Sequence, residues 1–141
     1  MSALAIGLLK KGCSVSGSDL VKNDETKKLE KLGALIFTSQ IRQNIEFVIS
    51  KFTNRLINFV VSSAIKPENE EFSYCKEKKL SIKHRSEILA MLMRTYTTLA
   101  VAGSHGKTST STFLSTILEL CTRNSSSIIG GIIPITTLIV I

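Results

Sequence analysis

The chain has 141 residues, 43% hydrophobic and 21% charged, a balance that excludes disordered, collagenous and disulfide-stapled miniature proteins. A folded chain of this length buries roughly two thirds of its unfolded surface, enough for one core, or for one domain and part of a second. Lysine and arginine outnumber aspartate and glutamate by 18 to 11, a formal charge of +7, which suits an anionic partner such as a phosphorylated small molecule, a membrane surface or nucleic acid.

The apolar positions change period along the chain, as they do when helices and strands alternate. Ser2 to Lys11 is predicted as a helix with Leu4, Leu8 and Leu9 on one side and Gly12 as its stop. The basic pair Lys10 and Lys11 follows the apolar run instead of preceding it, so no signal peptide is expected. Cys13 to Ser18 is predicted as a strand closed by Asp19, Lys22 to Leu32 as a helix stopped by Gly33, and Ala34 to Phe37 as the next strand. Ser39 to Asn58 fits helix or strand and is assigned as helix. Asn58 to Ser62 follows as a short buried strand. Pro67 then stands near the first turn of a charged helix that runs to about Lys79, and Ile82 marks a brief strand. Ser86 to Arg94 is amphipathic, with Ile88, Leu89, Leu92 and Met93 facing inward and Ser86 as N-cap. Thr98 to Ala102 is predicted as an apolar strand and Lys107 to about Thr122 as a helix. Repeated alternation of this kind implies an α/β fold with a parallel sheet.

Several partner classes drop out on the same reading. Lys27, Lys28 and Lys31 alternate with Glu25 and Glu30, and aromatic residues make up only 6% of the chain, so no basic stripe with stacking residues exists and no nucleic acid is expected. Cys13, Cys75 and Cys121 are odd in number and lack metal-ligand spacing, which points to a reducing, cytoplasmic setting without zinc. Ile128 to Ile141 is apolar but shorter than the roughly 20 residues that span a bilayer, and Gly130, Gly131 and Pro134 interrupt it. Buried strands, not membrane insertion, are the expectation there.

The segment with legible chemistry is Gly103-Ser104-His105-Gly106-Lys107-Thr108, between a predicted strand and a predicted helix. Glycines let backbone amides approach phosphate oxygens, and the helix N-terminus favours an anion. Lys107 would reach the terminal phosphates of a nucleotide and the Thr108 hydroxyl would meet Mg2+. Val101 stands where the full consensus has its first glycine.

Ala102 to Thr110 resembles the ATP loop of the Mur ligases of peptidoglycan synthesis, and the histidine at position 105 resembles their alanine-adding branch. Further stretches resemble the same family in the same order: Met1 to Ala5 the tail of its first glycine loop, Val15 to Asp19 its second strand, Val60 to Ile65 the end of a later strand, and Arg85 to Leu89 the helix start before its ATP domain. The resemblance covers most of residues 1 to 131, with about Gln40 to Asn58 longer than the family leads one to expect. It implies a Rossmann-like UDP-sugar domain over 1–95, whose first strand would lie ahead of Met1, and the start of a central ATPase domain over 96–141 comprising its first strand, phosphate loop and helix.

The resemblance also implies the substrates ATP, UDP-N-acetylmuramate and L-alanine, with Mg2+, joined through an acyl phosphate. Phosphorylation gives a poor carboxylate electrophile a leaving group, and the loop positions and neutralises the phosphoryl group in transfer. Lys107 is assigned to the β and γ phosphates, Thr108 and Thr110 to Mg2+, and Gly103, Ser104, His105, Gly106 and Ser109 to the nucleotide, His105 either shaping the loop or joining the catalysis. Asp19 is assigned to uridine, with Ser2, Ser62 and Ser63 along the same cleft. Most of the first glycine loop, the rest of the central domain and the C-terminal domain of the family are expected to be missing, and residues beyond Gly131 match nothing in it. A chain so composed is expected to be an inactive fragment of the ligase, or else a non-catalytic nucleotide- or UDP-sugar-binding module.

Overall fold

A computed structural model describes residues 1–122 and 125–129. In chain order the elements are α1 (Ser2–Lys10), β1 (Ser16–Ser18), α2 (Asp24–Lys31), β2 (Leu35–Phe37), α3 (Arg42–Lys51), β3 (Phe59–Val61), α4 (Glu70–Glu77), β4 (Ile82–His84), α5 (Arg85–Met93) and α6 (Lys107–Thr122). The α/β alternation read from the sequence therefore holds. Strands are shorter than predicted, three residues each.

Local chemistry explains where the helices begin and end. Asn23 and Thr26 cap α2 reciprocally, each side chain accepting the other's backbone N–H at 2.9 Å. At the end of α1, Gly12 adopts φ +77° and the N–H groups of Gly12 and Cys13 reach back to the carbonyls of Leu9 and Leu8. Gly33, at φ +93°, closes α2 through the same pair of bonds, from Gly33 to Glu30 and from Ala34 to Leu29. The end of α4 repeats the geometry with Lys79 at φ +52° in the glycine position, its N–H bonded to Lys76 and that of Leu80 to Cys75.

Two helix starts differ from expectation. Pro67 lies in the turn before α4, whose cap is Asn69, with Oδ1 accepting the Phe72 N–H at 3.0 Å. The cap of α5 is His84, not Ser86, because the His84 Nδ1 accepts the Ser86 N–H while Glu87 accepts the His84 N–H at 3.2 Å. Along α5, Ile88 is buried and Leu89, Leu92 and Met93 are half-buried, the inward face that the spacing predicts.

The sheet is in two parts. β1 pairs with β2 and β3 with β4, both parallel, with Gly17 opposite Ile36 and Val60 opposite Lys83. The predicted strand at 98–102 forms no ladder among the described residues, and Leu99 is 62% exposed. A strand needs a neighbour to satisfy its backbone groups, and none of the described residues pairs with this segment.

The core of the first half is Ile6, Leu29 and Ala34, with Ala5, Leu9 and Ile36 packed around it. Burial of Leu29 and Ala34 ties the cap of α2 to the hydrophobic core, since those two residues also share the capping hydrogen bond. Lys11 joins this half to the segment after α5: its ammonium donates to the Thr95 hydroxyl and sits 4.3 Å from the centroid of the Tyr96 ring. Among the described residues no helix is long and apolar enough to cross a membrane. Most of the predicted apolar tail, from Gly130 on, lies outside them.

Candidate functional site

The segment Gly103 to Thr110 leads into α6, and every residue in it is exposed. Gly106 turns the chain into the helix at φ +74°, with nothing within 4 Å of the place a Cβ would take. The Lys107 ammonium folds back over the loop and donates to the carbonyls of Gly103 at 2.6 Å and Ser104 at 3.0 Å. His105 bonds the Ser104 hydroxyl through Nδ1 at 3.3 Å. A cationic group therefore stands against the loop, next to a helix N-terminus, which is the electrostatic arrangement a phosphate requires. The Thr108 hydroxyl forms no hydrogen bond with the described residues, so it is available to a Mg2+ ion. Thr110 lies two positions on, where a helix turns its side chain away from that of Thr108.

A second concave region lies where β2 and β3 end. A cavity of about 530 Å³ is lined by Gln40, Ser62, Ala64, Ile65, Lys66, Glu68 and Asn69. Asn69 shapes it with both ends of its amide: Oδ1 caps α4, and Nδ2 donates to Gln40 Oε1 at 2.8 Å. The Gln40 carbonyl is thereby occupied, leaving its N–H donors and the Lys66 ammonium as groups suited to acceptor-rich or anionic ligands. Asp19 directly follows β1, its N–H bonded to Phe37 and its Oδ1 accepting the Val21 N–H at 3.0 Å. Its second carboxylate oxygen forms no hydrogen bond with the described residues.

Of the four residues assigned to the sugar cleft, Ser62 alone lines this cavity. Ser63 is exposed and outside it. Ser2 is in the first turn of α1, where its neighbours Met1, Ala3 and Leu4 meet Arg85, Leu89 and Ile128 around a separate small cavity. Sequence reading missed Gln40, Lys66 and Asn69. The usable signals were Gln40 just past the second strand, where ligands of open α/β sheets bind, and Asn69 ahead of an acidic helical turn. Among the described residues no cluster of three His, Cys, Asp or Glu side chains is placed to hold a metal. Side-chain hydrogen bonds of Ser104, His105 and Lys107 all stay within the loop.

Parallel strand pairs with a cavity at their carboxyl ends, followed by a glycine loop that opens a helix, define an α/β protein of the open-sheet class. The profile of the Mur ligase family, catalytic domain, matches residues 1–97, and the chain belongs to that family. It is 70% identical over 96% of its length to a UDP-N-acetylmuramate–L-alanine ligase of Prochlorococcus marinus subsp. pastoris, spanning 28% of that protein. A ligase of the same name from Dinoroseobacter shibae is 41% identical over 94% of the chain, which spans 27% of it. Among solved structures, the UDP-N-acetylmuramate:L-alanyl-gamma-D-glutamyl-meso-diaminopimelate ligase from Neisseria meningitides superposes with a TM-score of 0.81 at 24% identity, covering 94% of this chain and 40% of that one. That likeness establishes the fold as the Rossmann-like one expected. The chain thus spans little more than a quarter of the curated relatives it matches.

Proposed function

We propose that the chain carries the UDP-sugar cleft (residues 1–95) and the opening of the ATP site (residues 96–141) of an ATP-dependent ligase that joins L-alanine to UDP-N-acetylmuramate. The observation that carries this reading is the 70% identity to a ligase of that name across nearly the whole chain. In the proposed reaction the sugar's carboxylate attacks the γ phosphorus of ATP and ADP leaves. The amine of L-alanine then attacks the acyl phosphate, releasing phosphate and forming the amide.

Lys107 serves by holding negative charge at the transferring group, exchanging its two loop carbonyls for phosphate oxygens as nucleotide enters. Mg2+ supplies further charge neutralisation when bound, with Thr108 as the side chain suited to hold it. Gly103, Ser104, Gly106 and Ser109 contribute the close-approaching backbone, and His105 shapes the loop through Ser104. On the sugar side, the unengaged oxygen of Asp19 and the donors of Gln40, Ser62 and Lys66 address uridine and its phosphates.

Calorimetry with the purified chain tests the reading. UDP-N-acetylmuramate and ATP should each bind, and Lys107→Ala should weaken ATP at least tenfold while leaving the UDP-sugar unchanged. Failure of both ligands to bind at millimolar concentration overturns it. Phosphate release on adding L-alanine to both substrates separates a ligase from a binding module of the same specificity.

A further inference from the structure

The two strand pairs share no ladder, yet a chain of polar contacts crosses between them. Ser18, the last residue of β1, donates its hydroxyl to Glu71 Oε2 at 2.5 Å. Asn44 of α3, 6% exposed, donates from one amide nitrogen to Glu71 Oε1 and to the Ser39 carbonyl, both at 2.7 Å. One carboxylate on the first turn of α4 therefore ties down the end of β1 through one oxygen and the loop between β2 and α3 through the other. The flanking residues of the two tied segments are Asp19 and Gln40, the groups assigned above to the cleft. Burying the Asn44 amide is costly unless both of its N–H groups are satisfied, and Glu71 satisfies one of them.

We propose that Glu71 is a positioning residue: its carboxylate locks the carboxyl end of β1 and the β2–α3 loop to α4, so that Asp19 beside β1 and Gln40 at the cavity are held in one fixed arrangement. Its effect on ligand affinity rests on the UDP-sugar reading, whereas its effect on geometry does not. A glutamine preserves the lock, since its oxygen accepts from Asn44 and its N–H donates to a rotated Ser18 hydroxyl. An alanine removes both arms.

Two-dimensional NMR of the 141-residue chain and of its variants, followed by titration with UDP-N-acetylmuramate, tests this. Glu71→Ala should shift the backbone amides of Asp19 and Gln40 and the side-chain amide of Asn44, and should weaken UDP-N-acetylmuramate at least tenfold with ATP binding unchanged. Glu71→Gln should restore all of these. Ser18→Ala, which leaves the core untouched, should still move the Asn44 side-chain signals through Glu71 if the alanine variant fails to fold. Shifts confined to α4, a glutamine variant that behaves like alanine, or an Asn44 signal indifferent to Ser18→Ala overturns the proposal. If the unaltered chain binds no UDP-sugar, the functional reading fails and the NMR shifts alone decide the positioning role.

Discussion

Replacing Lys79 by glycine should stabilise the protein, although it removes a side chain and a charge. Lys79 sits at φ +52°, where its Cβ crowds the following carbonyl at a cost of about 1–2 kcal/mol for an L residue. Glycine escapes that cost but loses more backbone freedom on folding, an offset of roughly 0.5–1 kcal/mol. The net gain is about 0.5–1 kcal/mol, or around 2–4 °C in melting temperature for a chain of this size. The reverse substitution supplies the control. Gly33 occupies the same capping position at φ +93° with nothing within 4 Å of a built Cβ, so Gly33→Ala introduces no clash and should lose about 1 kcal/mol through the backbone alone. Urea unfolding of the three proteins, fitted with a common slope, reads both values. A Lys79→Gly protein less stable than its parent, or a Gly33→Ala protein equal to it, would refute the assignment of these costs to the left-handed cap.

Ile6, at 1% exposure the most buried of the large side chains among the described residues, should cost about 2–5 kcal/mol as Ile6→Ala and about 0.5–1.5 as Ile6→Val, measured by the same unfolding assay; equal losses would mean the site collapses without leaving a cavity. Burial, reinforced by Glu71, pushes the Cys75 thiol up to about 11. A disulfide reagent at pH 8 should therefore label the exposed Cys13 and Cys121 quickly and Cys75 only on unfolding. Between about pH 9 and 11 the unfolded chain releases the thiol proton that the folded chain retains, so stability should fall with rising pH by up to about 2–3 kcal/mol more than in Cys75→Ala.

Helices were the legible part of this sequence because their ends are written in short-range chemistry. Gly12 and Gly33 mark two of them directly, and the apolar spacing of Ile88, Leu89 and Leu92 marks the face of another. The cap ending α4 was obscured, since a lysine does the work of a glycine there. Strand lengths were overestimated because apolar runs such as Thr98 to Ala102 carry no record of whether a pairing neighbour exists. The glycine loop ahead of α6 was legible as a contiguous run, Gly103 to Thr108. The cavity was legible only at Ser62: Gln40 and Asn69 come from two connections that only the fold assembles, and the bond from Asn69 to Gln40 leaves no trace in local sequence.

The contact of Lys11 with Thr95 and Tyr96 bears on how often the two regions meet. With Tyr96 held against the end of α1, the chain onward to Gly103 reaches at most about 25 Å. A loop confined to that radius experiences the surroundings of the end of α1 at an effective concentration of roughly tens of millimolar. A contact between that loop and the surroundings of α1 is then formed most of the time whenever its dissociation constant lies below roughly tens of millimolar.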